Sequence, residues 1–438
     1  MNRVRAHSGY TFLAIATAFA ALAARAVAAA GQGADGSTLS VALLSVGPGH
    51  PFVSWMGHAA LVVTNARTGQ SLEFDYGVVP YGIATRRGLI TGVLTAYAAE
   101  HDANVARRQY VADGRSIRVQ SLALTPVERL ELLRRLVADQ GPGRQGYLYD
   151  YRMNNCTTRI RDLLDDVTGG TLRRVGSIPA PMTLRVIGHR YAAARPLVAT
   201  LFDLAMNNEI DQPITGWDAA VFPDQLADLV ARAMRTDSAG FRHPLADDLA
   251  GVPSAPVMPK PRYYALFLLV GVAVGSVILL AGVAARAGAR TGRAILGAAT
   301  ALVGGVLGTM GLLLAAAWIF TSYTFARHNA NLLLLNPMML AAVPLGVRFA
   351  RGSARADRWL RGLTGLSLIA GVGAVALHFT GNFAQDNWQA VVLVLPILAG
   401  TAGAFDLARP QPVRTPGSAP VDTNVAPTLL TTCTPPQR

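Results

Sequence analysis

The sequence predicts an α+β secreted domain fused to an α-helical transmembrane domain of five helices. Three observations predict it. The first thirty residues are laid out like a secretory signal. Residues 37–259 mix short strand-like runs with amphipathic helical ones. After Pro261 come five apolar stretches of membrane-spanning length. Composition agrees: 51% of residues are hydrophobic and 15% charged, against about 25% charged in soluble domains. That excludes a fully soluble enzyme and a disordered chain. The formal net charge is +13, yet between Gly36 and Pro259 there are 22 Arg against 21 acidic residues. The surplus therefore lies at the N-terminus and among the apolar stretches, which is a topology signal and not a nucleic-acid face. Nearly all the basic residues are Arg, a bias that carries no functional reading. Two cysteines exclude a disulfide framework and a cysteine-rich zinc fold.

Taken in order, Arg3 and Arg5 precede an apolar run from Tyr10 to Ala24 and a small-residue stretch, AVAAAG. Residues 1–30 are expected to be a cleaved signal, or else an uncleaved anchor. Leu39–Ser45 reads as a strand and GPGHP (47–51) as a turn. Ala59–Val63 and Leu72–Tyr76 read as a hairpin turning at Asn65–Gln70. Thr125, Pro126 and Glu128 form a capping pattern that opens a helix. Its apolar stripe is Val127, Leu130, Leu133 and Val137, and Gly141–Gly143 stops it. A second helix follows Asn154–Asn155–Cys156, with Ile160, Leu163, Leu164 and Val167 on one face and a stop at Gly169–Gly170. Phe222–Pro223 starts another. The apolar stretches fall at 263–285, 294–320, 331–349, 362–383 and 388–405, the third interrupted by Asn336–Pro337 and a candidate re-entrant loop. Loops one and three carry Arg286, Arg290 and Arg293, then Arg348, Arg351, Arg355, Arg358 and Arg361. Loop two has only Arg327, and loop four has none and contains Asp386. Positive residues favour the cytoplasm. The expected layout is a periplasmic domain (37–259), five crossings (262–407) and a disordered cytoplasmic tail (408–438) in a bacterial inner membrane.

Cys433 falls in that tail and cannot pair with Cys156 across a bilayer. Cys156 is then a lone cysteine in the first turn of a helix, where the dipole and free N–H groups favour thiolate and could hold an oxyanion. Its structural alternative is a small buried cysteine. A nucleophilic cysteine needs a base. Among His50, His58, His101, His189 and His243, His58 is favoured because it opens a strand directly after Gly57. His50 sits in a turn, and the other three are expected at the surface. Asp75 on the returning strand could orient the imidazole, with Glu73 of the same parity as the competitor. Inside the apolar stretches, His378, Asn382, Asn329 and Asn331 lie near the outer ends, where water would satisfy them. No histidine spacing suits a metal, and no cofactor is implied.

At these residues a resemblance appears. WMGHAALVV (55–63), LEFDYG (72–77), YLYDYRMNNCTTRIRDLL (147–164) and AAVFPDQLADLV (219–230) resemble the periplasmic domain of the Lnb family. These are lipoprotein N-acyltransferases with a periplasmic domain and a five-helix membrane domain. The resemblance implies that His58 and Cys156 are catalytic. Where the family pattern has Asn-Tyr-Gly this chain has Asp75–Tyr76–Gly77. The order His then Cys is also similar to circularly permuted papain-like acyltransferases. The implied reaction moves an acyl chain from a phospholipid, through a Cys156 thioester, to the α-amine of a diacylated lipoprotein. Asn155, Arg159, Tyr149 and Tyr151 are the expected substrate contacts. Arg159 would meet a phosphate or carbonyl unless it pairs with Asp162 or Asp166. The competing readings are a membrane-tethered thiol hydrolase (peptidase, amidase or phospholipase) and a non-enzymatic membrane scaffold.

Overall fold

The computed structural model describes residues 35–49, 54–80, 82–140, 146–192, 196–236, 239–249, 263–380 and 383–409. The signal segment, His50, the helix stop at 141–143, Asn382, residues 410–438 of the tail and Cys433 lie outside the described residues.

The first elements are β1 (Leu39–Val46), β2 (His58–Asn65), β3 (Gln70–Val78), α1 (Ile83–Thr91), β4 (Leu94–Asp102), α2 (Ala103–Ala112) and β5 (Ile117–Leu122). They are followed by α3 (Pro126–Gln140), β6 (Tyr147–Tyr149), α4 (Cys156–Val167), α5 (Thr171–Gly176), α6 (Leu184–Ala192), α7 (Pro196–Ala205), α8 (Gly216–Ala219) and α9 (Pro223–Arg232). A small hairpin, β7 (Met234–Thr236) with β8 (Arg242–Pro244), precedes β9 (Ala246–Leu249). Seven strands form one sheet in the order β6-β4-β3-β2-β1-β5-β9. The β2–β3 hairpin pairs Ala60 with Asp75 and Val62 with Glu73. It turns where Gly69 adopts φ +71°, a conformation that only glycine enters without steric cost.

The main core lies on one face of this sheet. Leu43, Leu61 and Phe74 from the strands meet Leu132 and Leu136 of α3, Ile160 and Leu164 of α4, and Leu226 and Leu229 of α9. The opposite face buries a smaller cluster, Leu44, Val46, Ala60 and Ile117, against Tyr110 of α2. Helix α3 starts with the expected reciprocal cap, Thr125 N–H to Glu128 Oε2 (2.8 Å) and Glu128 N–H to Thr125 Oγ1 (3.3 Å). Its apolar face follows expectation in part: Leu133 is buried and Val137 packs against the core, whereas Val127 and Leu130 are exposed and Leu132 and Leu136 are buried in their place. Both stripes have helical spacing, and only the position of the sheet selects between them.

The second domain contains α10 (Tyr264–Arg286), α11 (Arg290–Phe320), α12 (Asn331–Leu334), α13 (Ala342–Ala350), α14 (Ala354–Leu377) and α15 (Trp388–Leu407). Four of these helices are long and apolar enough to cross a membrane. The third stretch is broken at Asn336–Pro337 and bends by 51°, and it makes a fifth span if the bent pair counts as one. On the other long helices, outward side chains such as Leu269, Leu302, Leu313 and Ile369 are exposed and apolar, as lipid contact requires. Helices α10 and α15 pack backbone to backbone. A Cβ on Gly275 would fall 2.4 Å from the Pro396 carbonyl oxygen, so only glycine admits the approach.

Polar side chains join the two domains. Asn207 Nδ2 donates to the carbonyls of Thr324 (2.9 Å) and Arg327 (2.7 Å). Asn329 and Asn331 both donate to the Leu204 carbonyl (2.7 and 3.0 Å). These two asparagines are buried, contrary to the expectation that water satisfies them, because α7 reaches the outer helix ends and supplies acceptors. His378 likewise bonds Asn387 (2.9 Å) and stacks on Trp388. His189 also departs from expectation. It is 4% exposed and bonds Asp203, whose carboxylate meets Arg185 (3.2 Å) and Gln389 of α15 (3.3 Å). Asp203→Ala takes an acceptor from buried His189 and from Arg185, which keeps Asp211, and costs about 2 kcal/mol by the general expense of leaving a buried polar group unsatisfied. A lowered thermal unfolding midpoint of the detergent-solubilised chain checks this; an unchanged midpoint contradicts it.

Candidate active site

Cys156 is the first residue of α4 and is 9% exposed. The helix begins there because Asn155 caps it: Asn155 Oδ1 accepts from Thr158 N–H and Thr158 Oγ1 accepts from Asn155 N–H, each at 2.8 Å. Asn155 Nδ2 is tied to the carbonyls of Tyr151 (2.8 Å) and Val221 (3.0 Å). Asn155 lines the cavity, and its side chain also holds the helix start. The N–H groups of a helix's first turn lack intrahelical acceptors, so those of Cys156 and Thr157 are suited to an oxyanion.

His58 opens β2 at the edge of the register, paired with Val46. Gly57 turns the chain into it with φ +80°, and a Cβ there would lie 2.7 Å from the Val46 carbonyl oxygen. The imidazole therefore enters the site from a fixed backbone. Its Nε2 lies 3.1 Å from Asp75 Oδ2, and the ring stands close enough to Cys156 for each group to shift the other's pKa. Asp75 reaches it because β3 places Asp75 beside Ala60, two residues along β2. Glu73, the competitor, instead accepts from Tyr110 Oη (2.7 Å) and is fully buried. Burial raises its pKa, opposed in part by that hydrogen bond. His101 of β4, expected at the surface, is half-exposed and has Nε2 3.7 Å from Asp75 Oδ1.

The electrostatics favour an ion pair. Burial works against a charged His58, but hydrogen bonds to Asp75 and Cys156, with their charges, outweigh it and push its pKa up to about 10. Burial favours a neutral Cys156. The hydrogen bond and charge of His58, the Ala59 N–H and the Thr157 hydroxyl outweigh it, holding the thiol below its ordinary value.

Both groups line a cavity of about 740 Å³. Its walls are mostly apolar or aromatic: Tyr149 and Tyr151, Leu184 and Tyr191 of α6, Leu201 and Phe202 of α7, and Tyr323 and Phe325 just beyond the outer end of α11. Tyr149 and Tyr151 meet edge to face at 5.2 Å, and Tyr151 continues to Tyr323 at 5.9 Å. Gly77, at φ +88° on a bulge of β3, lets Tyr149 pack close to the cysteine. Arg159 lies outside this lining. Its Nε bonds Asn154 Oδ1 (3.1 Å) and its guanidinium covers the Tyr147 ring at 3.8 Å, in place of the expected ion pair with Asp162 or Asp166. Arg161 carries the pairing to Asp162 (2.8 Å).

Sequence reasoning missed Tyr110, Arg115, the α6–α7 wall and the Tyr323–Phe325 segment. The last had a local signal, since aromatics directly after an apolar stretch belong at a membrane interface. The others are joined to the cysteine only by the fold.

A family model of the Lnb N-terminal periplasmic domain matches residues 28–190, and one of the Lnb transmembrane domain matches residues 258–399. No curated protein and no solved structure matches the chain significantly.

Proposed function

The chain belongs to the Lnb family, and on that premise we propose that it is a lipoprotein N-acyltransferase with a cysteine nucleophile. Membership makes it a membrane protein of lipoprotein biogenesis with a periplasmic N-terminal domain. The finer reading divides it at 37–259 and 262–407, puts the C-terminus in the cytoplasm, and assigns Cys156, His58 and Asp75 the chemistry. The observation that carries it is the imidazole between Asp75 and Cys156 in the wall of an apolar cavity partly built by Tyr323 and Phe325, next to a membrane-spanning helix. A hydrolase of water-soluble peptides has no use for that lining. The order His58, Asp75, Cys156 supports kinship with permuted papain-like acyltransferases.

In the first half-reaction the Cys156 thiolate attacks an ester carbonyl of a phospholipid. The oxyanion is received by first-turn N–H groups of α4. Collapse breaks the C–O bond, and the His58 imidazolium gives its proton to the leaving lysophospholipid alkoxide. In the second, the neutral α-amine of a diacylglyceryl-cysteine attacks the thioester. His58, now neutral, takes the amine proton, and the C–S bond breaks to return the thiolate and leave an amide. Asp75 keeps the imidazole oriented and its positive charge compensated throughout.

The test is the mass of a lipoprotein N-terminal peptide from bacteria depleted of their own N-acylating enzyme and expressing this chain. One added acyl group is expected. A mass that stays diacylated while the chain is well expressed overturns transfer, and release of free fatty acid in its place identifies a hydrolase.

A further inference from the structure

Arg115 lies in the short connection between α2 and β5, beside the end of β1. It is 8% exposed and lines the same cavity as Cys156. Only part of its donor fork is used. Nε donates to the Gly47 carbonyl at 2.9 Å, while Nη2 is buried without a hydrogen-bond partner. The Tyr110 ring, 5.3 Å away, offers a π face and no anion. Among the described residues no ion pair compensates the guanidinium, in contrast to the deeply buried Arg185, which meets both Asp203 and Asp211. Burial lowers the Arg115 pKa despite the nearby charges of Asp113, Cys156 and Glu73, and structures that bury an arginine normally pair it directly with an anion.

The two sides of the cavity differ in the way a lipid does. Arg115 comes from the sheet side, held against Gly47 and Gly49. The apolar wall, Leu201, Phe202 and Phe325, comes from the side joined to the membrane domain. Cys156 and His58 line the same space. An acyl chain would lie along the membrane-side wall, with the charged end of its parent molecule toward Arg115.

Resting on the acyltransferase reading, we propose that Arg115 docks the phosphodiester of the acyl donor. The donor is therefore an anionic-phosphate glycerophospholipid and not the diacylglyceryl group of another lipoprotein, whose thioether-linked glyceryl carries no charge. A guanidinium fork matches two phosphate oxygens, a geometry an ammonium cannot reproduce.

The experiment follows formation of the Cys156 thioester by intact mass, using the full chain in detergent and two acyl donors of equal chain length. One is a glycerophospholipid and the other a p-nitrophenyl ester, which has no phosphate. Arg115→Gln is expected to slow acylation by the phospholipid by about tenfold or more, chiefly through KM, while changing acylation by the nitrophenyl ester by less than about threefold. Arg115→Lys, which keeps the charge and covers a poorly folded glutamine variant, is expected to fall between. Equal losses with both donors, or no loss with either, overturn the role of Arg115. A wild-type chain that forms a thioester with the nitrophenyl ester but not with phospholipid overturns the donor assignment while leaving acyl transfer standing. A wild-type chain that forms none with any donor overturns the acyltransferase reading itself.

Discussion

Cys156→Ala is expected to leave the lipoprotein N-terminus diacylated in the depleted bacterium, with a fall in transfer of roughly 10⁴-fold or more. The thioester route has no substitute once the sulfur is gone. The amine cannot attack a phospholipid ester efficiently by itself, because the alkoxide leaving group is poor and the thiolate charge that helps keep His58 protonated is gone. The variant should still fold. The helix start is capped by Asn155 and Thr158, not by the cysteine, and removing one buried sulfur costs only about 1 kcal/mol. A hydroxylamine-sensitive acyl adduct on the wild type, absent from the variant, places the intermediate on this residue. Normal triacylation by a folded Cys156→Ala chain would sink the mechanism.

The second large effect belongs to His58. Removing a positioned general acid–base commonly costs 10²- to 10⁴-fold, and His58→Gln should reach that range. Its effect on the thiol gives an independent readout. Burial raises the Cys156 pKa, and the hydrogen bond and charge of His58 are the leading influences that bring it below the ordinary thiol value. Without them burial prevails and the pKa rises. Alkylation of the wild type by iodoacetamide should therefore climb at a lower pH than that of an ordinary thiol. In His58→Gln the climb should shift to higher pH. The acylation rate should also have two limbs. It falls in acid as Cys156 gains a proton, and it falls in base as His58, raised to about 10, loses the proton that the leaving group needs. Asp75→Asn should pull the alkaline limb to lower pH, because Asp75 contributes to the raised value. Superimposable alkylation profiles for wild type and His58→Gln would refute the pairing.

Local patterns announced the parts of the site whose positions are set by short-range chemistry. The Asn-Cys start of α4 was legible because a capping asparagine and the glycines at 169–170 bound a helix by hydrogen bonding within a few residues. His58 was legible because Gly57 must turn the chain before a β-branched run. Asp75 could be preferred only weakly, since Glu73 shares its strand parity, and the difference arises in three dimensions. There, Tyr110 of α2 takes the Glu73 carboxylate and leaves Asp75 to the imidazole. The buried face of α3 was legible only in its second half, Leu133 and Val137, for a similar reason. Two stripes are compatible with its spacing, and the sheet beneath chooses Leu132 and Leu136.

By itself, then, the amino-acid order determined the two-domain division, the apolar stretches and the helix and strand starts that carry Cys156 and His58. Those depend on periodicity, hydropathy and capping, all of which act over one or two turns of chain. Tertiary structure alone decided which carboxylate serves His58, that Arg159 covers a tyrosine, that Arg115 enters the cavity, and that α7 and the Tyr323–Phe325 segment complete its walls. Those contacts join residues from about a dozen to well over a hundred positions apart. Which of them form is settled by long-range burial and by the need to partner every buried polar group, and neither leaves a mark in a local stretch of sequence.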